Sequence, residues 1–160
     1  MKTKLFLVGL ILLGSCISND RPLTNSEKEK IVDETRVLIG GIFQAAENAD
    51  IEPFKSIFLQ SPDFTAFGEG AVTNYEQTIS SWGKMIAAVD HQQATMQFEK
   101  YTVLNPEMVL YTAVGDWEIT MKSDTVIHYE DVGIQFLLKK VDDQWKVMIW
   151  NEYYQPMNTD

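Results

Sequence analysis

His128 and Glu130 are the side chains of this sequence best suited to moving a proton. They stand in the run Val126-Ile127-His128-Tyr129-Glu130-Asp131-Val132, whose alternation reads as a β-strand. Strand side chains alternate between faces, so His128 and Glu130 share one with Val126, Val132, Ile134, Phe136 and Leu138. That face is expected to point at the core. An imidazole beside a carboxylate on an apolar face tunes both groups toward neutral pH, with either one as general base. The competing reading is a structural ion pair at the open rim of the strand, because no nucleophile or third orienting group accompanies the pair. His91, next to Asp90, reads as a solvated turn residue. Asp116 taken with His128 and Glu130 lacks a metal-ligand spacing, so neither a metal nor a cofactor is expected.

Aromatic side chains point to a small-molecule pocket. Tyr111 and Trp117 share a strand face with Val109, Ala113 and Ile119, and Trp82 lies on the apolar side of a helix. Trp150, Glu152 and Tyr154 occupy one face of the last strand; Trp145, Ile149, Asn151 and Tyr153 occupy the other. Alternation alone does not say which set is inside. Aromatic walls with a few polar groups are how ligand pockets are built, and ordinary core filling is the alternative for each ring. Trp82, Tyr111, Trp117, Trp150 and Asn151 are therefore the expected pocket residues, with Tyr111 or Asn151 able to stabilise developing negative charge if the site is catalytic.

The elements that must carry these residues begin with two overlapping capping boxes, Thr24-x-x-Glu27 and Ser26-x-x-Glu29. Ile31, Thr35, Leu38, Ile39, Ile42, Phe43 and Ala46 follow at helical spacing. Gly40-Gly41 inside that helix predicts a close neighbour, since each glycine costs ~1 kcal/mol relative to alanine. Asp50 and Pro53 open a short second helix with Phe54, Ile57 and Phe58 on its apolar face. A small hairpin is expected over 63–72, turning at Gly68-Glu69-Gly70. Asn74-x-x-Gln77 caps a third helix that holds Tyr75, Ile79, Trp82 and Ile86 on one side. Four long strands follow, over about 93–104, 108–121, 125–140 and 145–154, with turns at Asn105-Pro106, Lys122-Ser123-Asp124 and Asp142-Asp143. Gly115 and Gly133 within them predict bends or bulges. The fold class is α+β: three N-terminal helices on one face of a curved antiparallel meander.

The N-terminus predicts an address. Lys2 and Lys4 precede an apolar run over 5–13, and Leu13-Gly14-Ser15-Cys16 resembles a bacterial lipobox. Cys16 is the single cysteine of 160 residues and is the expected lipidation site. The expected organisation is a signal peptide over 1–15, a lipidated tether over 16–25 and one domain over 26–160. Ile17 is not the aspartate that retains lipoproteins at an inner membrane, so export and outer-membrane anchoring are expected where the source has two membranes. The chain carries 23 acidic against 13 basic side chains, two of the latter ahead of the cut, for a formal net charge of -10. Such a balance argues against nucleic acid and against adhesion to anionic lipid other than through the anchor.

Three segments resemble the SnoaL-like group of the nuclear transport factor 2-like superfamily. They are Ala49-Asp50-Ile51-Glu52-Pro53, the stretch 64–75, and Asp143-Gln144-Trp145-Lys146-Val147-Met148. The likeness runs over about 26–154. It implies a cone-shaped, strongly curved sheet closed by the helices around a pocket, and dimerisation through the outer sheet face. It also implies a range of activities from isomerase and dehydratase to none. The His-x-His that often follows Trp-Lys and two apolar residues in that group is Ile149 and Asn151 here. The leading expectation is a membrane-anchored, homodimeric domain that binds a small, largely apolar ligand or serves as an interaction module, with no catalysis required. Its rival is an isomerase or dehydratase using His128 or Glu130 as base.

Overall fold

The computed structural model describes residues 21–68 and 70–154. The signal segment and Cys16 lie outside the described residues. Helix α1 spans Asn25–Glu47, and of the two overlapping capping boxes the chain uses Thr24 with Glu27, each side chain meeting the other's backbone N–H. Its buried stripe is Ile31, Thr35, Ile39, Ile42, Ala45 and Ala46, close to the periodicity expected. Gly40 and Gly41 are a correction: a Cβ at either position would meet nothing within 4 Å, so no close neighbour explains them. The short helix α2, Glu52–Ile57, starts where the Asp50 carboxylate accepts from the Glu52 backbone N–H at 3.0 Å. Strands β1 (Thr65–Gly68) and β2 (Ala71–Thr73) form the small hairpin, and the Asn74–Gln77 capping box opens α3, Tyr75–Ala88.

Four long strands complete the chain: β3 Val89–Asn105, β4 Met108–Met121, β5 Val126–Val141 and β6 Gln144–Tyr153. The sheet order is β2-β1-β6-β5-β4-β3. One pairing departs from the expected all-antiparallel meander: β1 runs parallel to β6, with Ala66 opposite Trp150, so the sheet is mixed. The core lies between the helices and the inner sheet face. Phe54, Phe58, Tyr111, Phe136, Leu138 and Val147 are almost wholly buried there, and burial of one such side chain contributes roughly 1.5–3 kcal/mol.

Register shifts bend the strands and reverse their alternation. On β5, Val132 pairs with Gly115 while Tyr129 pairs with Trp117, so three residues of β5 span two of β4. Asp131 adopts φ 51° at that bulge. On β6, Val147 pairs with Leu138 and Ile149 with Leu137, leaving Met148 as the extra residue. Each bulge moves the inward set by one residue. Gly115 sits where β3 and β5 both shift; a Cβ there would lie 2.6 Å from the Thr95 carbonyl oxygen, which explains the glycine.

Candidate functional site

The β6 bulge decides which aromatic set is inside. Trp145 and Val147 face the core before Met148, and Trp150, Glu152 and Tyr154 face inward after it. Across from them, α3 supplies Trp82, β4 supplies Trp117 and β5 supplies Tyr129. Together these side chains border a chamber of about 80 Å³, floored by Phe58 and Phe136. The rings stand at steep angles: Trp82 to Trp150 at 67° with centroids 4.0 Å apart, Tyr129 to Tyr154 at 58° and 5.0 Å, and Phe43 to Trp117 at 49° and 6.0 Å. A second space of about 470 Å³, bounded by the β1–β2 hairpin and α3, shares Trp82, Met85, Trp150, Glu152 and Tyr154 with the chamber. It forms a vestibule, and Glu152 stands at the junction.

Glu152 is half-buried and is the one carboxylate among the described residues lining either space. Burial lifts its pKa to about 7, against the opposing pull of the Tyr154 hydroxyl, which donates to Oε2 at 2.6 Å. The indole N–H of Trp150 is buried and meets no acceptor at hydrogen-bonding geometry. It still lies near enough to Glu152 to favour the anion slightly. A buried donor without a partner is costly, and this one borders the chamber. Gln92, the polar group on β3, is already committed: its Nε2 donates to the Ala46 carbonyl at 2.7 Å.

The expected site residues divide. Trp82, Trp117 and Trp150 line the chamber together. Tyr111 lies beneath it in the core, stacked on Phe136 at 5.8 Å, with its hydroxyl donating to Glu99 at 2.8 Å. Burial and that carboxylate raise the Tyr111 pKa further. Asn151 points to the opposite sheet face, into a groove with Phe67, Val72 and Tyr153. His128 and Glu130 also face outward, which corrects the core-directed face expected for them. The bulge at Asp131 puts Tyr129 inside ahead of it and Val132, Ile134, Phe136 and Leu138 inside after it. His128 is 62% exposed, and its partner is Glu118 across the strand pair, 3.4 Å away, rather than Glu130. Among the described residues no group of three His, Cys, Asp or Glu converges as a metal site.

The family model for the SnoaL-like domain matches residues 36–151. The chain belongs to the SnoaL-like domain family. No curated protein matches it. Solved structures share the fold. A nuclear transport factor 2-like superfamily protein from Salmonella enterica serovar Typhimurium superposes with TM-score 0.72 and 10% identity, covering 82% of this chain and 95% of that one. A candidate dehydratase of the same superfamily from Streptomyces avermitilis gives 0.70 and 14%, covering 79% and 97%. A hexachlorocyclohexane dehydrochlorinase gives 0.67 and 10%, covering 86% and 95%. At such identities the likeness establishes the curved α+β fold of this SnoaL-like domain and not its chemistry.

Proposed function

We propose that this SnoaL-like domain binds a small, largely apolar molecule in the aromatic chamber, with the polar part of the ligand against Glu152. One observation carries the reading: a single carboxylate stands where a ring-walled chamber of about 80 Å³ opens into a vestibule of about 470 Å³. Apolar walls supply the affinity of such sites, and a few placed polar groups supply orientation. Titrating the full-length chain with small cyclic ketones and alcohols, read by tryptophan fluorescence, tests it. Trp82, Trp117 and Trp150 all border the chamber, so an occupant shifts the emission; no response to any of them counts against the site.

A second reading rests on the Glu152 pKa of about 7. A carboxyl poised there exchanges its proton at neutral pH, as general acid–base catalysis needs. Glu152 then replaces His128 and Glu130 as the base of an isomerase or an elimination enzyme. It takes a proton from a carbon beside the reacting group while the Tyr154 hydroxyl keeps the carboxylate oriented. The dehydrochlorinase and the candidate dehydratase among the fold relatives support this direction by analogy. Glu152→Gln separates the readings. Binding without turnover in both proteins identifies a binding module; turnover lost only in the variant identifies an enzyme.

Assembly and address complete the proposal. Phe98, Val114, Gly133 and Tyr153 lie in one cross-strand row on the outer sheet face, and Phe98 and Tyr153 are exposed. A two-fold copy is the common cover for such a face. A monomer by analytical ultracentrifugation at micromolar concentration would overturn the homodimer. The lipobox-like run supports lipidation at Cys16 and an outer-membrane address. Cys16→Ser should release the chain from membranes or block its processing; correct cleavage with continued membrane fractionation would refute the anchor.

A further inference from the structure

We infer that the ligand is a small organic cation, a methylated ammonium that also carries a hydroxyl or carbonyl oxygen. The inference rests on the ligand-pocket reading and adds the charge of the occupant. Three features of the site support it. First, Trp82, Trp117, Tyr129, Trp150 and Tyr154 border one small space, and the paired rings within it stand at steep angles to each other. Several aromatic rings around one space are the kind of wall that takes an ammonium whose methyl groups make it easy to desolvate. Second, Glu152 supplies the counter-charge, and among the described residues lining the chamber and the vestibule there is no Lys, Arg or His to oppose a cation. The chain's formal net charge of -10 adds a field of the same sign. Third, the Trp150 indole N–H is buried and makes no well-formed hydrogen bond, the Glu152 carboxylate being near it but poorly placed to accept. An ammonium has no acceptor to offer, so the molecule that satisfies the whole site bears an oxygen a few bonds from its nitrogen.

Each feature removes a competing class. An anion meets Glu152 and no cation. A pure hydrocarbon leaves both Glu152 and the Trp150 N–H unanswered. A neutral ketone answers the N–H and gains nothing from the carboxylate. Binding of the cation favours ionised Glu152, so uptake at pH below about 7 releases a proton. Among the described residues, the other groups facing Glu152 include no second carboxylate and no lysine, arginine or histidine. They are Tyr129 on β5, Tyr154 just past β6, Gln92 on β3, Trp117 on β4, Trp82 on α3 and Phe43 on α1.

The experiment compares choline with its uncharged tert-butyl isostere, in which carbon replaces the quaternary nitrogen, by calorimetry on the full-length chain. Choline should bind at least about tenfold more tightly at about pH 8. Glu152→Gln should bring the two toward parity. Trp117→Leu, which keeps the apolar wall and removes the π-face, should weaken choline more than the isostere. An isostere that binds as well as choline overturns the inference and leaves the ligand pocket standing. A choline preference untouched by Glu152→Gln places the cation elsewhere and overturns it as well. Failure of both probes to bind removes the inference, and the pocket reading falls with it only when the ketones and alcohols tried above also leave the tryptophan emission unchanged.

Discussion

Strand β6 sets a tryptophan against a glutamate near each end, Trp145 with Glu34 of α1 and Trp150 with Glu152 of the strand itself, and the two pairs differ in what completes them. Near the start, the Trp145 indole donates to Glu34 Oε2 at 3.0 Å, and Lys140 Nζ donates to the same oxygen at 3.0 Å while lying 5.7 Å above the indole ring. The indole hydrogen bond first, and then that of the lysine, hold the Glu34 carboxyl below the usual carboxylate range. Near the end, the Trp150 indole makes no hydrogen bond, no lysine is present among the described lining residues, and burial lifts Glu152 to about 7. The first pair is complete and clamps α1 to the sheet. The second lacks a cation and a well-formed indole hydrogen bond, and it faces a cavity. Incomplete polar groups persist in a fold when a ligand completes them or a reaction uses them.

The largest expected effect tests that contrast at Glu152. Folded Glu152 holds its proton up to about pH 7, whereas the free carboxyl releases it near 4.5. The folded state therefore binds more protons inside that window, and stability falls as pH rises through it. Glu152→Gln removes the penalty. The variant should be more stable than the parent by roughly 2–3 kcal/mol at about pH 8 and equal to it at about pH 4. Urea unfolding at the two pH values measures this; a variant that is less stable at both would make Glu152 a structural partner instead.

Glu34 should respond with the opposite sign. Its folded pKa is lowered, so its contribution is present above the unfolded value and is lost as the pH falls through the folded one. Glu34 is partly exposed and solvent screens the pair. Glu34→Gln should cost about 1 kcal/mol at neutral pH, with the loss shrinking in acid. Parallel pH profiles for the two glutamine variants, rather than opposed ones, would erase the distinction between the ends of β6.

Much of this arrangement was legible in the sequence, and the rest was hidden for one kind of reason. Thr24–Glu27 and Asn74–Gln77 announced two helices because capping is local chemistry. Helix period places Trp82 and unbroken alternation on β4 places Trp117, and both rings border the chamber with Trp150. Alternation places His128 and Glu130 on the wrong face because it assumes a regular strand. The extra residue at Asp131 reverses it, and aspartate is no more than a weak marker of a left-handed backbone. Alternation groups Glu152 with Trp150 and Tyr154 but does not pick the inner face, because the extra residue at Met148 has no composition cue at all. Inward burial on both sides of a bulge looks, in one dimension, like two apolar faces.

The smallest expected effect concerns the bulge that separates the outward His128–Glu118 contact from the inward wall. Asp131 sits at φ 51°, where glycine pays no Cβ penalty, and its side chain is exposed. Its backbone N–H donates to Asp116 Oδ1 at 3.1 Å, and Gln97 Nε2 reaches the other oxygen of the same carboxylate at 2.8 Å. Those bonds tie the β5 bulge to the one on β3 and use no atom of the Asp131 side chain. Asp131→Gly should therefore keep both bonds and relieve local strain by about 0.5–1 kcal/mol, less the entropy that glycine adds to the unfolded chain. The net gain expected is a few tenths of a kcal/mol in urea unfolding, with ligand affinity unchanged because Tyr129 still faces the chamber. A clear loss of stability would mean that the aspartate side chain itself holds the bulge. A loss of binding without loss of stability would mean that the inward wall depends on this residue more directly than its register does.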